Sequence, residues 1–509
     1  MTLNLGVRYE YVNAPRDAEA RIEYGFGDDK DNLEPRVGFA YSPNFEGGFL
    51  RTIFGRDGDS SIRGGYGIYH GRIFQSIFSQ NGATVRFNPP NAFNYVRNGE
   101  LQVDFNPINL QDPTTGTDDV PFVFVPGPQT ARTTLTVVDP NLEMPYTQQW
   151  NLTFERQLPW TSAVRISYTG NRGIGLLRYV QQNMPVHDPN GVLVADHPNN
   201  LAALRGQVIT PAADLFCAGT TVANSVCPVT PIGALEYSRL VPRTNERRPD
   251  PRYGTNLQVG NGAWSYYHAM QVEWSKRLSH NLNFQAAYTW SKALDTLSEA
   301  TSFGTHDSNF TGPDAKVARG YSRFHTPHRF TFFGTYRNPF FDNDKGFLGQ
   351  VLGGWETSVV FKWVHGTPFT VTGASFDLNL DGFGETRPVL LDPSILGRSI
   401  DNPETSRDRL PQSAFRQPTS ADDYNCCILG RNTFFVDGVK NVDVSFYKRF
   451  LMPWENHSLL LRADMFNALN HVQWGFPNAT YTSTSLGAIT GTASQYAPRT
   501  IQVSLKYSF

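Results

Sequence analysis

Asp377, Asn379 and Asp381 place three side-chain oxygens at alternate positions, and Gly382 follows where a sharp turn is needed. This is how a calcium loop begins, because hard cations take oxygen ligands from such a run. The twelfth position is Pro388 rather than a bidentate Glu. The competing reading is a plain Asp/Asn/Gly turn in an external connection, with Ca2+ in that loop as the one cofactor candidate. His325 and His328 flank Pro327 just before a strand, either as a metal pair or as imidazoles that cap the strand's mouth. Arg462 and Asp464 fall on one strand face and could be read as acid and base, but a solvated charge network is the simpler reading. Gly65-Tyr66-Gly67 with Gly71 has the look of a phosphate-binding turn. It lies in an alternating strand with no helix at the right place, so glycines that let a strand bend are preferred. No His-Glu-x-x-His, Gly-x-Ser-x-Gly or Walker-type loop occurs. No catalytic residue is assigned, and the chain is not read as an enzyme.

Four cysteines add little chemistry. Cys217 and Cys227 lie in one Pro/Ala/Thr-rich stretch, as for a loop disulfide on an oxidising surface. Cys426 and Cys427 are adjacent and either form a vicinal bond or stay reduced. The spacing fits no zinc pattern. The nine tryptophans could line a carbohydrate site, but many fall near strand ends, where anchoring at a membrane interface explains them better.

What positions all these groups is a set of alternating strands. In Ile501–Phe509, Ile501, Val503, Leu505, Tyr507 and Phe509 share one side, and Gln502, Ser504, Lys506 and Ser508 share the other. The pattern recurs with Leu3, Leu5, Val7, Tyr9 and Tyr11, with Trp150, Leu152 and Phe154, and with Val164, Ile166 and Tyr168. It recurs again with Met270, Val272 and Trp274, with Phe284, Ala286, Tyr288 and Trp290, with Val442, Val444 and Phe446, and with Leu459, Leu461, Ala463 and Met465. Weaker versions run through Val37–Tyr41, Ile62–Ile68, Phe330–Tyr336 and Trp355–Trp363. The apolar side carries no charge at mid-segment. Arg156, Lys276 and Lys448 fall on it near strand ends, where long side chains reach headgroups. The polar side carries Arg8, Glu10, Arg36, Arg63, Glu155, Arg165, Glu273, Glu356, Lys362, Asp443, Arg449, Arg462, Asp464 and Lys506. An Arg facing mid-bilayer costs about 2–4 kcal/mol and one facing water little, so this asymmetry points to lipid on one side and a wet lumen on the other.

Composition agrees. Charged residues make up 18% of the 509, fewer than in ordinary soluble domains, and aromatics 13%. No apolar run is long enough for a transmembrane helix, which leaves strands of about ten residues free to cross. A net charge of -2 gives no footprint for nucleic acid. Strand spacing alternates short and long. The short links are Leu158-Pro159-Trp160, Ser279-His280 and 451–456. The long ones, roughly 70 to 90 residues, span 71–145, 171–262 and 366–439. Short links belong on the periplasmic side and long loops outside. Arg72–Ser79 reads as a helical turn. About twelve strands result, an all-β transmembrane antiparallel barrel with long extracellular loops.

Several segments carry a family resemblance. They include Asn4-Leu5-Gly6-Val7-Arg8-Tyr9-Glu10, Leu33–Tyr41, Ile62-Arg63-Gly64-Gly65-Tyr66-Gly67-Ile68-Tyr69 and Pro145-Tyr146-Thr147-Gln148-Gln149-Trp150-Asn151-Leu152. Tyr288-Thr289-Trp290-Ser291-Lys292-Ala293-Leu294-Asp295, His328-Arg329-Phe330 and Leu461–Asn470 complete the set. In order and spacing the chain resembles the carboxyl-terminal barrel of TonB-dependent outer-membrane receptors of the Oar-like group. The resemblance implies a 22-stranded barrel in the whole protein, a preceding plug and import of a bulky ligand energised through TonB. Residues 1–509 are then a partial barrel domain, expected without its plug or signal peptide, in the outer membrane of a Gram-negative-type bacterium. The expected partners are outer-membrane lipid, the barrel-assembly machinery reading Leu505, Tyr507 and Phe509, the TonB complex through the plug, and an extracellular ligand. The alternative is an adhesion or interaction protein that uses the barrel as an anchor. A truncated wall either closes through Leu3–Tyr11 and Ile501–Phe509 or stays open at both, since unpaired backbone in lipid costs several kcal/mol per group.

Overall fold

A computed structural model describes residues 1–14, 27–56, 58–72, 93–97, 100–104, 135–182, 256–298, 318–341, 346–373, 386–418, 427–452, 454 and 457–509. Twelve strands follow one another in a single antiparallel path: β1 (Thr2–Val12), β2 (Asp29–Tyr41), β3 (Ser60–His70), β4 (Tyr146–Leu158), β5 (Ser162–Gln182), β6 (Asn256–Ser279), β7 (Leu282–Asp295), β8 (His328–Arg337), β9 (Trp355–Val364), β10 (Val439–Leu451), β11 (Ser458–Phe466) and β12 (Thr500–Ser508). Each pairs with its sequence neighbours, as a meander requires.

The alternation decides which face looks out. Leu5 and Val7 are 71% and 72% exposed, and Val503 and Leu505 are 67% and 64% exposed. On central strands, Leu152, Ile166, Trp274 and Trp290 are also exposed. On the opposite face Arg165 and Glu273, neighbours of Ile166 and Trp274, form an ion pair instead. The greasy side of each ribbon therefore faces outward, as lipid contact demands.

Strand order runs from β1 to β12, and among the described residues no ladder joins the two ends. All nine residues of β12 are exposed. Of the two outcomes open to the sequence, the open sheet is the one seen among the described residues.

The cations at strand ends behave differently from expectation. Lys276 Nζ donates to the carbonyls of Ser279 and Leu282 (2.6 and 3.2 Å). Lys448 Nζ donates to the carbonyls of Gln350 (2.6 Å) and Gly353. These close the helix α2 (Phe347–Leu352), whose last carbonyls have no partner within the helix. Arg156 donates to the Thr52 carbonyl in α1 (Gly48–Phe54). All three tie down the short connections instead of reaching for headgroups, because unsatisfied backbone carbonyls lie nearer. The connection expected over 171–262 is also shorter, since β5 continues to Gln182 and β6 starts at Asn256.

A second structure sits beyond the strand ends. Parts of the β9–β10 and β11–β12 connections fold together around Phe369, Val371, Ile395, Ile400, Leu410, Phe434, Tyr481 and Leu486. Strands of two or three residues, Pro368–Phe369, Ser399–Ile400 and Phe434–Val436, form a small sheet. The Thr372 amide donates to the Ala479 carbonyl (2.9 Å) and the Tyr481 amide to the Thr372 carbonyl (2.8 Å), which locks the two connections to each other.

Candidate functional site

The inner face is a wall of paired charge. Arg165 on β5 lies between Glu155 on β4 (3.2 Å) and Glu273 on β6 (3.4 Å). Arg63 on β3 reaches Glu155 from the far side (3.5 Å), and the Gln285 amide on β7 donates to Glu273 (3.0 Å). At one end, Glu34 is almost fully buried and accepts from Arg36 (2.5 Å) and from the His70 amide (2.7 Å). At the other, Arg462 meets both oxygens of Asp464 at 2.9 Å, and the Ser445 hydroxyl donates to the same carboxylate. Each partly exposed pair contributes about 0–1 kcal/mol, so the ladder's value is a charge-lined wet surface rather than stability. Phe333 and Val360 interrupt it. They pair across β8 and β9 and stay 48% and 42% exposed on the inner face, an apolar spot in the wall.

The mouth of β7–β9 holds an aromatic and imidazole cluster. His328 Nδ1 is 2.8 Å from the Tyr288 hydroxyl, and its ring stacks on Trp363. His325 is buried, stacked on Tyr321 at 4.5 Å and packed near Phe435. Its Nδ1 accepts from the Ala293 amide (3.2 Å), so the neutral ring is the one that fits. Burial first, then the charges of His365, Lys292 and His328, lower its pKa to about 4. Unfolded, the ring titrates near 6.5. Between those values the unfolded chain binds the extra proton, so the cluster's stability is complete above pH 6.5 and is lost as the pH falls toward 4. The expected loss is about 2 kcal/mol after solvent screening. Hydrogen exchange of the Ala293 and Ser322 amides, corrected for intrinsic rate, should show it at pH 4.5. In His325→Gln, which keeps an acceptor without the titration, the profile should flatten.

The sequence candidates divide. His325 and His328 come together at the mouth with His365, as aromatic caps. Arg462 and Asp464 join as a lumen pair, and Gly65-Tyr66-Gly67 lies within β3. Among the described residues no group of three or more His, Cys, Asp or Glu is arranged to hold a metal. Asp377, Asn379 and Asp381, Cys217, Cys227 and Cys426, and most of Arg72–Ser79 lie outside the described residues. Cys427 is disulfide-bonded, which removes the reduced alternative for it. Leu505 and Tyr507 stand exposed on β12, with Phe509 beside His457 just after it. Trp160 and Trp454 mark the short-turn end, and Trp290 and Trp363 the other, as two interfacial belts would. The composite module and its buried Arg431 escaped sequence reasoning. Its core residues follow no period.

The profile of a family described as "outer membrane beta barrel domain" matches residues 23–502. The chain belongs to that family. An outer membrane beta barrel domain resides in the outer membrane, and its twelve strands are what crosses. No described helix is long and apolar enough to do so. No curated protein matches this barrel domain. Among solved structures it is similar to the outer membrane transporter YddB from Escherichia coli, at 10% identity and a TM-score of 0.41, covering 95% of this chain and 42% of that one. It is also similar to the ferripyoverdine receptor of Pseudomonas aeruginosa (9% identity, TM-score 0.36, 95% and 34% covered). A third is BauA, the ferric preacinetobactin receptor of Acinetobacter baumannii (10%, 0.38, 100% and 40%). The barrel domain spans less than half the length of each.

Proposed function

We propose that the chain is the barrel portion of a TonB-dependent receptor of the Oar-like group, serving uptake of a bulky ligand. The observation that carries this reading is the inner charge ladder from Arg63 through Glu155 and Arg165 to Glu273, which makes sense facing a wet passage. Energy would come from the TonB complex through an N-terminal plug. Leu505, Tyr507 and Phe509 would be read by the barrel-assembly machinery, and Asp377, Asn379 and Asp381 would offer a calcium site in the outer connection. The module between β9–β10 and β11–β12 supports the second reading, an anchored adhesion or interaction protein, because a folded outer surface suits a partner as well as a passing ligand. Liposomes carrying the chain should swell in isotonic stachyose several times faster than empty ones. A rate equal to that of empty liposomes would favour the anchor.

A further inference from the structure

The outward faces of β5, β6 and β7 change character at one height. From the short turns upward they carry Val164, Ile166, Val272, Trp274 and Phe284, ending in Tyr168, Met270 and Trp290. Beyond that line come His268, Lys292, Arg172 and, from the segment after β7, Arg319. With Trp264 and Tyr266 they line a cleft of about 680 Å3 that, among the described residues, no carboxylate lines. Register fixes the face. Arg172 pairs with Tyr266, Tyr266 with Leu294, and His268 with Gly170 and Lys292, all in the outward parity of Ile166 and Val272. Contacts agree: the Arg172 guanidinium lies 5.2 Å from the Tyr266 ring, Arg319 lies 5.8 Å from Trp264, and the Tyr168 hydroxyl is 2.8 Å from His268 Nδ1.

Three observations point to one kind of ligand. Arg172, Lys292 and Arg319 are exposed, and among the described residues none of them is in an ion pair, whereas Arg63, Arg165 and Arg462 on the inner face are. The cleft continues the lipid-facing surface without a break. Its height is right as well. Lys292 is ten residues up β7 from Leu282, and at about 3.4 Å per residue and a tilt of about 45° that is roughly 24 Å, close to the ~25 Å apolar band of such barrels. Unpaired cations beside aromatics at that level face headgroups.

We propose that this cleft binds the phosphate-bearing headgroup of an outer-leaflet lipid, with its acyl chains lying on Ile166, Val272 and their outward neighbours. The proposal rests on the outer-membrane placement and on the long connections facing outside. It is independent of what passes through the lumen.

The test uses the chain folded in zwitterionic micelles, with diphosphoryl lipid A as probe and retention read by native mass spectrometry. Each basic side chain near a headgroup is worth about fivefold, so R172Q/K292Q/R319Q should weaken retention on the order of a hundredfold, and K292Q alone about fivefold. R407Q, on the exposed helical turn Ser406–Arg409 of the outer module, should change nothing. Inorganic phosphate at millimolar concentration should not displace the lipid, and the dephosphorylated lipid should bind about as weakly as the triple variant does to lipid A. Equal retention by wild type and triple variant, equal binding of the dephosphorylated lipid, or full displacement by inorganic phosphate would each overturn the proposal. Heat-modifiable migration on SDS gels checks the fold of every variant, and if the triple variant fails it, K292Q decides. Absence of that signature in the wild type would mean the barrel reading itself has failed, a result distinct from loss of lipid.

Discussion

Replacing Arg431 by Met should weaken the outer module by about 3–5 kcal/mol, the cost of leaving a buried charge without its partner. Arg431 and Asp295 have side chains only 1% and 5% exposed. The guanidinium donates to the Asp295 carboxylate, to the Asp295 carbonyl (2.8 Å), to the Ala318 carbonyl (3.1 Å) and to the Ser298 hydroxyl (3.2 Å). Asp295 is the last residue of β7, so this fork ties the module to the strand mouth. The adjacent Asn432 repeats the link by donating to the Tyr321 carbonyl (2.7 Å). Methionine keeps the volume and length but leaves the carboxylate and two carbonyls without these donors. The readout is native-state hydrogen exchange at the Thr372, Leu429 and Tyr481 amides, which close the module. It reports local opening where a single unfolding energy would not be defined. Protection should fall roughly a hundredfold or more. Adding Asp295→Asn should restore much of it, because Ser298 can still donate to the amide oxygen. A fall of less than tenfold would show that water already reaches the pair.

The strands were legible because each divides two solvents. Where Ile166 meets lipid and Arg165 meets water, period two is imposed on the residue types, and twelve strands could be counted from it. The signal fades where the two faces meet the same medium. Along β5 the polarity of alternate residues no longer differs beyond Gly170, and the register shifts between Gly173 and Leu176 with Gly175 at a φ of 63°. That is why more than half of the strand, from Asn171 on, read as loop. The outer module was illegible for another reason. Phe369 and Tyr481 share a core from two separate connections, one on a strand of two residues and the other in a turn, so neither shows a period. Arg431 and Asp295 are 136 positions apart, and nothing local marks either as buried. Lys292 falls in the outward parity of Trp290, one step past the aromatic belt, but the alternating set ended at Trp290 and left it out.

Ile166→Arg should cost about 2–4 kcal/mol in a bilayer and close to nothing if that face meets water. Ile166 is the fifth residue of β5, within its apolar span, opposite Phe154 on one side and Val272 on the other, and is 42% exposed. At that exposure the side chain can extend outward, so the cost comes chiefly from the surrounding medium. This separates a lipid-facing ribbon from an ordinary protein surface, on which the same change lies within about 0.5 kcal/mol. The internal control is Gln285→Arg on the inner face of β7, where Glu273 already accepts the side-chain amide. A cation there gains a carboxylate partner and should change stability by less than about 1 kcal/mol. Urea unfolding of the chain folded into lipid vesicles measures both. The physics requires them to differ in the stated direction, because one guanidinium enters hydrocarbon and the other a hydrated charge ladder. Equal costs would mean the two faces see the same solvent, and the outward leucines, valines and tryptophans would then need a protein partner rather than lipid to cover them.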